Sequence, residues 1–310
     1  MKEYSFGATI SALRKEKGLT QEELANRLNV TAQAVSKWEV GNSCPDISAL
    51  PIIATIFEVS VDYLLGREER QTISQTAKEE KKAFEKEHEF EKLESVCLNI
   101  LFGKFEILPT KESITRVKVW GDDEFHESNN MSVKDETLYI TSDYQNRNYT
   151  NNKQNKAIIF LPTESGQTLD VKIKGSGIAI SKIPFFEQGG FDIAGSGVIE
   201  LENFTYCNAT ITGSGVIKGN DSVVLDATVT GSGRIEWVQS ELCNLQVSGS
   251  GSIEISDTER CVAKVSGSGN IKGKTAENLQ ATVSGSGMIR WESVNDYKSK
   301  ISGSGKVNIG

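Results

Sequence analysis

Two spacings of apolar residues divide the chain. Up to residue 66 they recur every three or four positions, as in Ile10 and Leu13, Leu24 and Leu28, Val35 and Trp38, and Leu50, Ile53, Ala54 and Phe57. That is the period of amphipathic helices. From about residue 166 they recur at every second position, as in Leu169, Val171 and Ile173, which is the period of strands. Between these regions, residues 67–92 are charged and contain neither Gly nor Pro. Glu and Lys favour helix there, so a charged helical linker is expected over 67–100. Phe90, Leu93, Cys97 and Ile100 follow a 3-4-3 spacing. They suggest either a short dimerising seam or the end of a spacer docking on the next domain. Residues 101–165 carry strand-like runs at Ile114–Val119, Leu138–Thr141 and Ile158–Leu161 around an Asn-rich stretch, 144–156. This part reads as irregular β opening coils with a loop.

The helical region, 1–66, carries helix punctuation. Gly18 stands where a helix would end in a left-handed glycine. Thr20-Gln21-Glu22-Glu23 is a capping box. Asn29-Val30 is a tight connection, since Asn tolerates left-handed backbone. Thr31 caps a third helix, and the run from Gly41 to Pro45 breaks the chain. Asp46 or Ser48 starts a fourth helix, and Ser60 a fifth that Gly66 closes. Five short helices with a tight turn between the second and third form a helix-turn-helix arrangement, so 1–66 is expected to be all-α.

The residues narrow this further. Leu19-Thr20-Gln21-x-x-Leu24-Ala25, Val35-Ser36-x-Trp38-Glu39-x-Gly41 and Val59-Ser60-Val61-Asp62-Tyr63-Leu64-Leu65 resemble the Xre/Cro-type DNA-binding domain of phage and bacterial repressors. The resemblance implies that the helix after Thr31 is the recognition helix. Ala32, Gln33, Ser36 and Lys37 would then face base edges, with Gln33 suited to adenine, Lys37 to guanine and Ala32 to a thymine methyl. Thr20 and Gln21 would hold a phosphate at a helix N-terminus, and Val40 and Asn42 would add backbone contacts. Arg14 and Glu39 match a family ion pair, worth at most about 1 kcal/mol if exposed. Val35 and Trp38 read as core.

Charge limits what the chain binds. The net charge is −8, which argues against a generic polyanion binder. No segment is a basic tail, so DNA binding must rest on a few placed cations. The five cysteines, 44, 97, 207, 243 and 261, show no CxxC pair. Neither a zinc site nor a disulfide framework is indicated. The charged N-terminal stretch is not a secretory signal, and no apolar run reaches membrane-spanning length. A cytoplasmic bacterial protein with no membrane contact is expected.

Gly-Ser-Gly occurs eight times, at 175–177, 195–197, 213–215, 231–233, 249–251, 267–269, 285–287 and 303–305, spaced by 20 and then by 18 throughout. A fixed period of this size marks a solenoid. With the first Gly as position 1, position 5 is Ile or Val from Ile199 to Val307, and position 17 is Ile or Val from Ile193 to Ile301. Position 15 is mostly small, and position 13 holds Cys207, Leu225, Cys243, Cys261, Leu279 and Tyr297. Position 7 holds Leu201, Gly219, Trp237, Ile255, Gly273 and Trp291. The unit therefore reads as two strands on either side of a bend whose glycines supply positive φ. Eight bends stacked at about 4.8 Å give a stack roughly 35–40 Å long. Position 11, from Thr205 to Asn295, is largely polar. That rules out the three-hexapeptide left-handed coil and leaves a right-handed parallel β-helix over 166–310. Alternating charges at position 6, such as Lys218 and Glu236, suggest an ion ladder.

Leu169-x-Val171-x-Ile173-x-Gly175-Ser176-Gly177 and the repeated Val-Ser-Gly-Ser-Gly resemble the GIN-type head domain of autotransporter adhesins. That resemblance brings no activity with it. No acidic cluster or calcium motif accompanies the repeat, and the core cysteines read as small buried hydrophobes. The sequence thus points to a multidomain α and β protein that is not an enzyme and needs no cofactor or metal. The reading is a repressor that binds double-stranded DNA at an inverted repeat as a homo-oligomer. Its β-helix would serve sensing, self-association through the last coil, or binding of an unknown ligand or protein. The rivals are an interaction rod with a DNA tether and a carbohydrate-active β-helix enzyme.

Overall fold

The computed structural model describes residues 6–28, 30–45, 50–57, 59, 61–66, 84–142, 155–163 and 166–310. The chain divides into two compact units, Met1–Glu80 and Lys81–Gly310. The expectations for Asn29, Asp46, Ser48, Ser60 and the loop over 144–154 lie outside the described residues, as does the linker over 67–83.

The first unit holds α1 (Phe6–Glu16), α2 (Gln21–Leu28), α3 (Ala32–Glu39), α4 (Leu50–Phe57) and α5 (Val61–Leu64). Ile10, Leu13, Leu24, Val35, Trp38, Ile53, Phe57 and Leu64 meet in one buried core. These are the apolar positions whose helical spacing marks them in the sequence. Gly18, Gly41 and Gly66 follow helices with φ of 67°, 78° and 71°, the left-handed backbone that glycine adopts without steric cost.

The second unit begins with a correction. Residues 84–100 are not helix: β1 (Phe84–Phe90) and β2 (Ser95–Ile100) are strands. The charges of β1 alternate with period two and face those of β4 (Thr115–Gly121), an antiparallel neighbour. Arg116 and Lys118 bridge Glu85, Glu87 and Glu89. Composition favours helix there, but cross-strand ion pairing and β2's inward Val96, Leu98 and Ile100 decide for strand. Cys97 and Ile100 lie on opposite faces of β2, so they form no helical seam. A strand pattern this short is masked by its charged residues.

Nor are the described residues between 101 and 163 irregular. They hold β3 (Lys104–Thr110), β4, α6 (Asp123–Ser128), β5 (Asn129–Lys134), β6 (Thr137–Ser142) and β7 (Lys156–Pro162). β2 pairs in parallel with β6 and with β8 (Thr168–Ile173), and β3 pairs in parallel with β7 and with β9 (Ile178–Ser181). These strands are therefore full rungs of the stack. Antiparallel strands finish its leading end: β1 and β7 flank β4, and β5 lies on β6. The capping side chain of Asp122 starts α6 and directs Phe125 into the core over Gly103 and Gly121.

Beyond β9 come β10 (Phe185–Ile193), β11 (Val198–Glu200) and β12 (Asn203–Ile211). Then β13 (Val216–Val229), β14 (Arg234–Val247), β15 (Ser252–Val265), β16 (Asn270–Val283) and β17 (Met288–Ile301) follow at 18-residue register, with β18 (Lys306–Ile309) last. Like residues stack on like: Ile235, Ile253 and Ile271 are in register and fully buried. The ion ladder forms in part, with Lys218 to Glu236 at 3.8 Å and Lys272 to Glu254 at 3.2 Å.

Two details differ from the two-strand reading. Inward positions run 5, 7, then 10, then 13, 15 and 17, so the coil turns twice more through three-residue steps. Position 10 holds Ser222, Ser240 and Thr258, buried polar groups whose hydroxyls bond one another or main-chain carbonyls. Their polarity hides an inner position from a hydrophobic pattern. The bend glycines are also not selected for positive φ, which among them only Gly303 shows. From Gly195 to Gly303 each first glycine lies against the carbonyl of the glycine one coil earlier, and Gly175 lies against that of Leu101; a Cβ would collide there. At position 7 the glycines serve volume instead. The Trp237 and Trp291 rings occupy the space over Gly219 and Gly273.

Candidate nucleic-acid interface

Thr31 is the cap of α3, its Oγ1 accepting the Ala34 N–H at 3.2 Å. From that start the helical period turns Val35 and Trp38 into the core. The same period leaves Ala32, Gln33 and Lys37 exposed and Ser36 half-buried on the opposite side. The turn after α3 presents Val40, 66% exposed, and Asn42. Six of the sequence-predicted contact residues therefore lie on α3's outer face and in the turn that follows it.

The end of α3 is locked. Arg14 donates from Nε to Glu39 Oε1 at 2.5 Å, from Nη2 to Oε2 at 3.0 Å, and from Nη1 to the Leu19 carbonyl at 2.7 Å. The two side chains are only 11% and 5% exposed. This is a partly buried bidentate pair rather than a surface one. Burial alone would raise the Glu39 carboxyl. The hydrogen bonds from Arg14 and Gln21, with the charge of Arg14, outweigh it and hold the group below the usual carboxylate range.

Gln21 also has a partner inside the unit. Its Nε2 donates to Glu39 Oε2 at 2.9 Å, so its side chain ties the start of α2 to the end of α3. Thr20 closes the capping box: its N–H reaches Glu23 Oε2 at 2.7 Å and its Oγ1 accepts the Glu23 N–H at 3.1 Å. The hydroxyl proton of Thr20 and the main chain of α2's first turn are what this corner offers an anion. Glu22 and Glu23 oppose that offer with negative charge.

One residue escaped sequence reasoning. Gly7 on α1 packs directly on the end of α3, where a Cβ would meet the Trp38 carbonyl and lie 2.8 Å from that of Glu39. A glycine inside a helix, at a cost of about 1 kcal/mol against Ala, was the available signal.

In the second unit Cys207, Cys243 and Cys261 are buried free thiols in the core. Burial raises Cys207 and Cys261 well above the ordinary thiol range.

Residues 10–64 match the helix-turn-helix family, and residues 100–275 match the family described as "Putative auto-transporter adhesin, head GIN domain". Over 71 residues, 23% of this chain, the N-terminal region is 42% identical to the "HTH-type transcriptional activator BcrR" of Enterococcus faecalis. It is 37% identical over 70 residues to an uncharacterized HTH-type transcriptional regulator, YqaE, of Bacillus subtilis (strain 168). The chain spans 35% and 60% of the length of these two relatives. A solved structure described as a "putative adhesin" from Parabacteroides distasonis ATCC 8503 matches 74% of this chain and 97% of its own, at TM-score 0.62 and 18% identity. A "putative lipid binding protein" from the same organism covers 74% of this chain and 96% of its own, at TM-score 0.60 and 21% identity. These two share the fold of the second unit.

Proposed function

The chain belongs to the auto-transporter adhesin head GIN family and carries a helix-turn-helix module ahead of that domain, and from this pairing we propose that it is a DNA-binding transcriptional regulator. The observation that carries the reading is the outer face of α3. It presents Ala32, Gln33 and Lys37 from a helix fixed at its start by the Thr31 cap and at its end by Arg14, Gln21 and Glu39. A side chain reads a base only when its backbone is held in place, and both ends of α3 are held.

In this reading α3 enters the major groove. Gln33 pairs with an adenine edge, Lys37 with guanine, Ser36 with either, and Ala32 touches a thymine methyl. Val40, Asn42 and Thr20 border the phosphates. Gln21 contributes through its main chain and by positioning Glu39. The protein works in the cytoplasm as a homo-oligomer on an inverted repeat, where two heads add their affinities. Among the described residues no helix is long and apolar enough to cross a membrane. Repression is the proposed sign, and the solenoid serves sensing, oligomerisation or partner binding.

The test is selection of bound DNA from random sequence with the full chain, followed by Gln33→Ala on the selected site. An inverted repeat should emerge. Gln33→Ala should weaken it by about 1–3 kcal/mol and relax one base position. No sequence preference at moderate salt, or unchanged binding by Gln33→Ala, refutes the reading. A promoter fusion carrying the selected site separates repression from activation.

A further inference from the structure

Positions 12 and 14 of successive coils project from one outer face of the solenoid in two files. Through β8, β10, β12 and β13 the first file runs Thr168, Gln188, Tyr206 and Val224, and the second runs Asp170, Gly190, Asn208 and Asp226. The second file lacks a side chain at Gly190, between Asp170 and Asn208. The gap is held open. The Asp170 carboxylate leans over the glycine, and a Cβ at Gly190 would land on Asp170 Oδ1. A groove of about 310 Å³ results, lined on its sides by Asp170, Gln188, Tyr206, Asn208 and Asp226.

The lining selects a chemical class. Among the described residues no Lys, Arg or His lines the groove, and two carboxylates do. Phosphate, nucleic acid and acidic ligands are therefore disfavoured. Val224, Cys207 and the Tyr206 ring are apolar and the remaining side chains are hydrogen-bonding groups, a mixed lining that suits a ring with hydroxyl edges better than an acyl chain. Asp226 already accepts Asn244 Nδ2 at 2.8 Å, and Asp170 lies against the Gly190 backbone. Their remaining lone pairs suit neutral hydroxyl donors. Asn208 Oδ1 accepts from Thr210 at 3.3 Å, so its amide nitrogen is the end that offers hydrogen bonds to a ligand. Tyr206 is 52% exposed and supplies a rigid amphipathic ring.

We infer that this groove binds an uncharged oligosaccharide, with Tyr206 stacked on a pyranose face and Asp170, Gln188, Asn208 and Asp226 taking its hydroxyls. The volume lies at the lower end for ligand sites and fits one or two rings. Coils rise by about 4.8 Å, close to the length of one sugar unit, so a linear chain can run along the files. The inference does not rest on the DNA-binding reading, and its test contains no DNA.

The experiment titrates the full chain by calorimetry with cellotetraose, maltotetraose and chitotetraose in turn, and with spermidine. At least one tetrasaccharide should bind with Kd of about 1 mM or tighter. Tyr206→Ala should weaken it by about tenfold or more, and Asp226→Asn by several-fold. Both sites are exposed, so both variants should keep the parent melting temperature. If Tyr206→Ala does not, Asp226→Asn carries the test alone. The inference is overturned if no tetrasaccharide binds, or if the folded variants bind like the parent. It is equally overturned if spermidine binds in their place and depends on the same residues, since the groove would then be a cation site.

Discussion

Gly249→Ala sets two physical effects against each other. It is the first glycine of a bend, and its φ is not positive. Replacing glycine at a compatible backbone position stabilises a protein by about 0.4–1 kcal/mol, because the unfolded chain loses freedom. Backbone conformation alone therefore predicts a more stable protein. Packing predicts the reverse. A Cβ at this position would strike the Gly231 carbonyl oxygen and lie 2.5 Å from the Thr230 oxygen and 3.0 Å from the Thr230 carbon. All three atoms are main chain of the preceding coil, so no rotamer change relieves them. Coil spacing is fixed by hydrogen bonds within the bend, Ser250 N–H and Gly251 N–H to Gly231 O, each at 3.1 Å, and on either side of it, Ser248 N–H to Val229 O at 2.9 Å and Ser252 N–H to Gly233 O at 3.0 Å. Overpacking in so confined a place costs about 1–3 kcal/mol or more. The net expectation is destabilisation by about 1–2 kcal/mol, a melting shift of about 2–8 °C downward for a unit of this size. Thermal unfolding of the full chain by circular dichroism at the strand wavelength reads it, with exposed Ser250→Ala as a control that should not move. Gly249→Ala melting at or above the parent temperature would refute the argument that close stacking selects these glycines.

Ile253→Asp buries an unpaired charge between Ile235 and Ile271 and should cost several kcal/mol, whereas Glu259→Ala on the outer face should be nearly silent. Equal melting temperatures for the two variants would contradict the register. Glu39 is held below the usual carboxylate range. Its contribution is therefore complete above about pH 5 and is lost as pH falls through and below the ordinary glutamate value of about 4.3. Glu39→Gln should destabilise the helical unit by about 1–3 kcal/mol at about pH 7. The difference from the parent should shrink as the medium is acidified through that range, and a pH-independent difference would contradict the ion-pair account. Under native conditions a thiol reagent should modify Cys44 quickly and Cys207, Cys243 and Cys261 only on unfolding. Rapid labelling of the last three would show that the core column is open.

The sequence by itself determined the elements whose stabilising interactions are local or repeated without change. Thr20 and Glu23 cap α2 within one turn, Thr31 caps α3, and the spacing of Val35 and Trp38 fixes which face of α3 turns outward. An 18-residue period needs no distant information either, since each coil meets a copy of itself, and so Ile253 lands between Ile235 and Ile271. Tertiary structure decided what depends on a partner far along the chain. Residues 84–90 have helix-forming composition and become a strand because Arg116 and Lys118 lie opposite their glutamates. Ser222, Ser240 and Thr258 are polar yet inward, because the neighbouring coil and nearby carbonyls satisfy their hydroxyls. Gln21 belongs to the Arg14–Glu39 pair rather than to solvent only because α2 and α3 pack together. Gly190 becomes the floor of a groove only when Asp170 and Asn208 are brought to either side of it. Local propensity and hydrophobic period encode a residue's own preference; the strength of an ion pair, a hydrogen bond or a steric contact depends on which atoms the fold places beside it.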